Sequence, residues 1–297
     1  MDRIATAGLH QSILASNQDN LAHIALYQRQ LATGKKIEQI SDDPSAGRQL
    51  LRYRNDSAAA GTYLANVDRT TTLLNASESA IDQMSTTLDQ VRAAAVQGAN
   101  GATDAAGRAA LSRSVDGMLN RLIDLANTKH DGRYLFAGAA SSTRPFARSG
   151  DDSHVEYQGD LDSQTVRIGP DTSVTLDHDG HALFQGENDV FAAVISLRDA
   201  LANGDSAAVA DRLAAVDAAH GRINRAQGDL GGATQRLQMT RDQLEQSRTF
   251  LDTLASAAED VDMTDAISKL QLAQMALEAG MQSGAKVAQR SLIDFLQ

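Results

Sequence analysis

Val209, Val216, Ile223, Leu230, Leu237, Leu244 and Leu251 recur at a strict seven-residue spacing. Seven residues are close to two turns of α-helix, so this spacing draws one apolar line along one helix. At roughly 1.5 Å per residue the line is about 63 Å long if unbroken. Its companions four residues on, Leu213, His220, Gln227, Thr234, Arg241 and Arg248, are mostly polar. A stripe so narrow suits a helix in a long antiparallel bundle rather than one buried all round. Gly231-Gly232 falls inside the run and costs helix stability, so a close backbone approach or a kink is expected there.

Similar stripes occupy most of the chain. Leu14, Leu21, Ile24 and Leu31 share one heptad line whose other positions, Asn17 and Gln28, are polar. After a break near Gly34 a second helix begins at Pro44, with a stripe of Leu64, Val67, Leu74, Ile81, Met84, Leu88 and Val91. Gly98, Gly101 and Gly107 mark a turn, and Leu111, Val115, Met118, Leu122 and Leu125 form a third helix. A last amphipathic segment runs from Met263 through Ile267, Leu270, Leu277, Met281, Leu292 and Phe295, with Asp262 or Thr264 as its cap. Neither terminal helix can bury its stripe alone, so the two pair with each other or with other copies. In the free monomer both ends are expected to be poorly ordered and to fold on assembly, because helix nucleation is costly and one apolar face offsets little of it.

Residues 134–186 differ. Tyr134, Phe136, Phe146, Tyr157 and Phe184 gather here, in a chain with only 4% aromatics and no Trp. Two of its three prolines lie here as well. Short β-branched runs, such as Thr165–Ile168 and Ser173–Leu176, sit between Gly- and Asp-rich turns. The expected fold is therefore mainly α with a β-rich insertion. A long antiparallel helical bundle or coiled coil is built from both chain ends, with a small β domain in the middle. The segments are 1–40 (terminal helix region), 41–133 (first half of the bundle), 134–186 (insertion), 187–258 (second half) and 259–297 (terminal helix).

Several function classes are disfavoured. A net charge of −11 with no Lys/Arg stripe suits neither nucleic acid nor an anionic membrane surface. No run of 18 apolar residues is present, and 1–31 lacks a basic segment followed by an apolar one, so neither a spanning helix nor a cleavable signal peptide is read. With no Cys there is no thiol chemistry. The neighbouring carboxylates of Ser41-Asp42-Asp43-Pro44 read as a helix start, with Asp43 as N-cap and Pro44 first in the helix. Asp177-His178-Asp179-Gly180-His181 is the one His/Asp cluster. It reads as a hairpin turn leading into Ala182-Leu183-Phe184, with a divalent metal as the alternative. No nucleophile elbow or phosphate-binding glycine motif occurs, so no catalytic residue, cofactor or metal ligand is assigned.

Three stretches together resemble the flagellin-like family of flagellar axial proteins. Arg29–Ile37 followed by Ser41-Asp42-Asp43-Pro44-Ser45-Ala46-Gly47 is similar to the family's N-terminal signature. Leu230-Gly231-Gly232-Ala233-Thr234-Gln235-Arg236-Leu237 resembles its returning helix, and Asp260–Asp265 through Leu292–Gln297 its C-terminal helix. The opening Met1–Thr6, and Arg133–Gly138 followed by Thr143–Phe146, resemble the branch found at the hook–filament junction rather than bulk flagellin.

The resemblance implies an extracellular place in the bacterial flagellum, reached by type III export without a cleavable signal. It implies assembly with copies of itself in a ring, with the neighbouring hook-associated protein and with flagellin, and binding of an export chaperone. On this reading Leu14, Leu21, Ile24, Leu31, Ile267, Leu270, Leu277, Met281, Leu292 and Phe295 form the assembly interface. Ser41, Asp42, Asp43, Pro44 and Gly47 form the family motif and helix cap. The alternatives are a minor flagellin, a helical signalling module, which the insertion fits badly, and an enzyme.

Overall fold

The computed structural model describes the backbone of residues 2–162, 164–176 and 179–296, and the side chains of these except 2–7, 9, 10, 176 and 287–296. In chain order the helices are α1 (Asp2–Thr33), α2 (Pro44–Ala99), α3 (Ala105–Ala126), α4 (Val190–Ala202), α5 (Ser206–Glu259) and α6 (Met263–Leu296). Between α3 and α4 lie β1 (Lys129–His130), β2 (Arg133–Tyr134), β3 (Phe146–Arg148), β4 (Val155–Tyr157), β5 (Gln164–Arg167), β6 (Ser173–Leu176) and a π-helical turn, His181–Gln185. The chain forms two compact units, Met1–Ala58 with Ser247–Gln297, and Ala59–Gln246. The divisions fall inside α2 and α5.

In the second unit the heptad line of α5 is a true seam. Val209, Val216, Ile223, Leu230 and Leu237 are buried in one cluster with Val67, Leu74, Ile81, Met84, Leu88 and Val91 of α2. The buried companions are Ala219 and Ala226, three residues after Val216 and Ile223, rather than the polar set four residues on. Polar clasps flank the seam: Arg92 Nε to Asp217 Oδ1 at 2.6 Å, and the Ser85 hydroxyl 3.0 Å from His220 Nε2. Ser77 is fully buried inside the stripe, and its hydroxyl donates to the Leu73 carbonyl at 3.1 Å, so it carries no unmet hydrogen bond.

α5 runs unbroken through Gly231-Gly232. Nothing lies within 4 Å of the place where a Cβ of Gly231 would stand. In place of a close backbone approach, Gly228 and Gly232 border a groove of about 660 Å³, shared with Leu74, Val174, Leu183 and Arg236. The helical zone expected from 187 is two helices, separated at Asn203–Asp205, where the Asp205 carboxylate caps α5 by accepting from Ala207 N at 2.9 Å.

The β region starts earlier than the expected 134. α3 stops at Ala126, and β1–β2 is a hairpin whose two turn residues, Asp131 (φ 50) and Gly132 (φ 77), both take positive φ. That is the Asp-Gly hairpin preference at work. The six strands make three separate antiparallel pairs, β1–β2, β3–β4 and β5–β6. A ring cluster joins β3–β4 to α4. Phe136, Phe146, Phe184 and Phe191 are each fully buried, with Phe136–Phe184 at 5.0 Å and Phe146–Phe191 at 5.3 Å between centroids. Asn127, just past α3, imitates a strand beside β3, donating to the Phe146 carbonyl at 2.9 Å and accepting from its N–H at 3.0 Å.

Asp179–Phe184 is not a hairpin leading into a strand. Asp179 bridges Ala137, and Gly180 packs so tightly that a Cβ would stand 2.5 Å from the Phe136 carbonyl oxygen. The chain then enters the π-turn, which aims Phe184 into the ring cluster. Asp177 and His178 lie outside the described residues. Among the described residues no three His, Asp or Glu side chains converge on a metal position.

Replacing Phe146 removes the ring that touches Tyr157, Phe184 and Phe191. Phe146→Ala is expected to cost about 3–5 kcal/mol of unfolding free energy. Urea denaturation followed by circular dichroism measures it, and a loss below 1 kcal/mol, roughly that of a surface change, shows that the cluster does not hold the region together.

Candidate assembly interface

In the first unit α1 and α6 run antiparallel. A Cβ on Gly280 would stand 2.1 Å from Asn17 Oδ1, and one on Gly284 3.5 Å from Ile13. The half-buried line on α1 is Ile13, Asn17, Asn20, Ile24, Tyr27 and Leu31. On α6 the inward residues are Ala266, Leu270, Ala273, Leu277, Gly280 and Gly284. Both lines alternate steps of three and four, the spacing of an antiparallel coiled-coil seam. Stepping equally along both helices from the two glycine contacts sets Leu31 opposite Ala266, Ile24 opposite Ala273 and Ile13 opposite Gly284. Large residues on one helix therefore meet small ones on the other, which lets the backbones approach.

The connectors seal one end of this pair. α1 stops at Gly34, whose φ of +71 suits a helix C-terminus and whose N–H returns to the Gln30 carbonyl at 2.8 Å. Gly34 O then accepts from Val261 N at 3.0 Å, Lys35 bridges Asp260, and Lys36 N donates to the Glu259 carbonyl at 2.6 Å. Glu259 is only 8% exposed. Its carboxylate meets Lys35 Nζ at 2.6 Å and Arg54 Nη2 at 2.5 Å, tying the connector to α2. Burial pushes the Glu259 pKa up, but the hydrogen bonds and charges of Lys35 and Arg54 outweigh it and hold the group below its ordinary value. Ser57 Oγ donates to Asp252 Oδ1 at 2.6 Å, a second tie between α2 and α5.

The motif residues build the loop ahead of α2. Asp43 is the N-cap, its carboxylate accepting from Ser45 N at 2.9 Å and Ala46 N at 3.0 Å, with Pro44 opening the helix. Asp42 turns the other way and accepts from Gln39 N at 2.8 Å and Glu38 N at 3.0 Å. These backbone donors hold both carboxyls below the usual aspartate range. Ser41 Oγ lies 3.4 Å from Gln39 Oε1. A Cβ on Gly47 would press on Ile40 at 3.3 Å, so glycine lets the loop fold back on the helix. Asp262, not Thr264, caps α6, accepting from Thr264 N at 2.9 Å.

The predicted interface residues divide into two sets. Ile24, Leu31, Leu270 and Leu277 lie in the seam between α1 and α6. Leu14, Leu21, Ile267 and Met281 are outside it, each between 45% and 56% exposed. The side chains of Leu292 and Phe295 lie outside the described residues. Each of the exposed four follows a seam residue by one position: Ile13, Asn20, Ala266 and Gly280. In an antiparallel pair of right-handed helices, that step points to the same flank on both. The pair thus presents an apolar flank beside its seam. Sequence reasoning missed Ala266, Ala273, Gly280 and Gly284, although Ala266, Ala273 and Gly280 recur at seven-residue intervals. Among the described residues no helix is long and apolar enough to cross a membrane.

Two family models match the chain: the bacterial flagellin N-terminal helical region over residues 4–141, and the bacterial flagellin C-terminal helical region over 213–296. Flagellar hook-associated protein 3 of Escherichia coli strain K12 is 27% identical over 183 residues, 61% of this chain and 56% of that protein. The protein of the same name from Salmonella typhimurium strain LT2 gives the same figures. The aligned part is thus a little over half the length of each relative. Among solved structures, a protein assigned as flagellar hook-associated from Vibrio parahaemolyticus superposes with a TM-score of 0.67 at 20% identity, over 74% of this chain and 100% of that one. The flagellar junction protein FlgL of Legionella pneumophila gives 0.60 at 15%, over 73% and 100%. At such identities the likeness is one of fold.

Because the folded pKa of Glu259 lies below its unfolded value, the clasp adds stability above the ordinary glutamate range. That stability is lost as the pH falls through the folded pKa. Amide exchange at Lys36 and Val261, corrected for intrinsic rate, is expected to speed up over that acid window. In Glu259→Gln both amides should exchange fast at neutral pH and lose the acid step. Equal protection of these amides in the variant and the parent at pH 7 shows that the carboxylate does not hold the connectors.

Proposed function

The chain belongs to the bacterial flagellin family, and from that premise we propose that it is a structural subunit of the bacterial flagellum that joins hook to filament. The observation that carries this reading is the apolar flank of the α1–α6 pair, where Leu14, Leu21, Ile267 and Met281 stand exposed beside the seam that joins the two helices. Covering the exposed half of each side chain stabilises an assembly by roughly 1 kcal/mol, about half the value of full burial. The relatives named as hook-associated proteins support a place at the hook. The partners are other copies of this chain in a ring, the adjoining hook-associated protein and flagellin, with an export chaperone engaged before assembly. The location is outside the cell, and the role is mechanical: nothing is turned over. Of the interface residues, Ile24, Leu31, Leu270 and Leu277 hold the terminal pair together and the exposed four meet neighbours.

Cells lacking this protein are expected to keep their hooks and shed flagellin into the medium, as electron microscopy and the culture supernatant would report. Purified protein growing long filaments alone would instead favour a minor flagellin. Leu21→Asp and Met281→Asp should each change the unfolding free energy by no more than about 0.5 kcal/mol, as surface substitutions do. Each should nevertheless abolish incorporation at the hook tip. Incorporation at the parental level by both variants removes the flank from the interface.

A further inference from the structure

The α1–α6 seam is aliphatic or small at most inward positions; Asn17 and Asn20 break that pattern, and Asn17 is the one that faces a glycine. Its Oδ1 is buried without a hydrogen-bond partner. It presses on Gly280 so closely that a Cβ there would stand 2.1 Å from the oxygen. A buried acceptor with no donor opposes folding, so its presence in the seam calls for a compensating role. We propose that Asn17, set against Gly280, fixes the register of the terminal helix pair and thereby decides which apolar side chains share its outer flank.

The aliphatic pairs do not choose a register by themselves. If α1 slides along α6 by one heptad, both stripes still face each other. Ile24 then meets Ala266 or Gly280 in place of Ala273, which is again a large residue against a small one. Asn17 would meet Ala273 or Val287, each with the Cβ that Gly280 lacks. The amide tolerates one alignment, as polar residues in coiled-coil seams do at a cost in stability. Connector pairing at Gly34–Val261 favours the same alignment from the Leu31 end, so a slipped pair must also give up those bonds. Register also sets the flank: only the observed alignment puts Met281 level with the stretch between Leu14 and Leu21.

The chain has no Cys, so a pair of introduced cysteines is the only thiol pair present. Full-length Ile13→Cys/Gly284→Cys reports the observed register, and Ile13→Cys/Leu277→Cys reports the one-heptad slip. Yields are compared after mild oxidation of dilute protein. Asn17→Leu is expected to raise the slipped yield about tenfold over the parent, the scale of one buried amide clash. Gly280→Ala, which adds the colliding Cβ, should move the balance the same way, and Asn17→Ala in that background should restore the observed register. An unchanged ratio in Asn17→Leu, or no rescue of Gly280→Ala, overturns the proposal. The register is a property of the free chain and stands apart from the junction reading. Cross-links that behave as expected, alongside Leu21→Asp protein that still incorporates at hooks, would remove only the latter.

Discussion

A helix with one narrow apolar stripe gains little by forming alone, since nucleation is costly and its free face stays wet. The long helices here are of that kind. α5 finds its partner in α2 within the second unit, and α1 finds its partner in α6 within the first. The small β pairs follow the same logic on a smaller scale. Two- to four-residue strands have no independent stability, and here the four buried phenylalanines and the strand-like Asn127 hold them. What distinguishes the units is how completely the stripe is covered. Val209, Val216, Ile223 and Leu237 are fully buried in the second unit, whereas among the described side chains of α1 none gets beyond half-burial.

Long apolar periodicity was the most readable property of the chain. The α2 and α5 stripes appear in the amino-acid pattern almost as they pack, because aliphatic side chains dominate both. The terminal seam was readable only in part. Its phase on α1 is set by Ile13, Asn20 and Tyr27 as much as by leucines, and its depth on α6 by Ala266, Ala273, Gly280 and Gly284. Small residues carry little hydrophobic signal, yet they decide how near two backbones come. The eye follows Leu14 and Leu21 and so rotates the helix toward its flank. The alanines of α5 were overlooked for the same reason, with Ala219 and Ala226 passed over in favour of His220 and Gln227.

Turn chemistry was legible where one residue does the work. Asp43-Pro44 opens α2 through a side-chain cap, whereas the Asp131-Gly132 hairpin, which moves the start of the β region to Lys129, was not read from the sequence. The connector clasp was not legible. Glu259 is separated from Lys35 and Arg54 by more than two hundred residues, and no local pattern says that a carboxylate at the end of one helix will meet two cations from the far end of the chain. The π-turn was hidden too, because Ala182-Leu183-Phe184 has the composition of a strand, and its conformation is decided by Gly180 lying against Phe136 and Phe146.

The pairing of α1 with α6 also bears on time. Asn17 and Gly280 lie at nearly opposite ends of the sequence, so theirs is among the contacts of largest separation the chain makes, and such contacts form late. At a ribosomal pace of roughly 5–20 residues per second, α1 emerges on the order of tens of seconds before its partner exists. Through that interval its stripe, Ile13, Ile24 and Leu31 included, has only solvent or another molecule to face. The α1–α6 pair therefore forms after the α2–α5 seam can, and in each newly synthesised chain α1 passes through a stage without its partner helix.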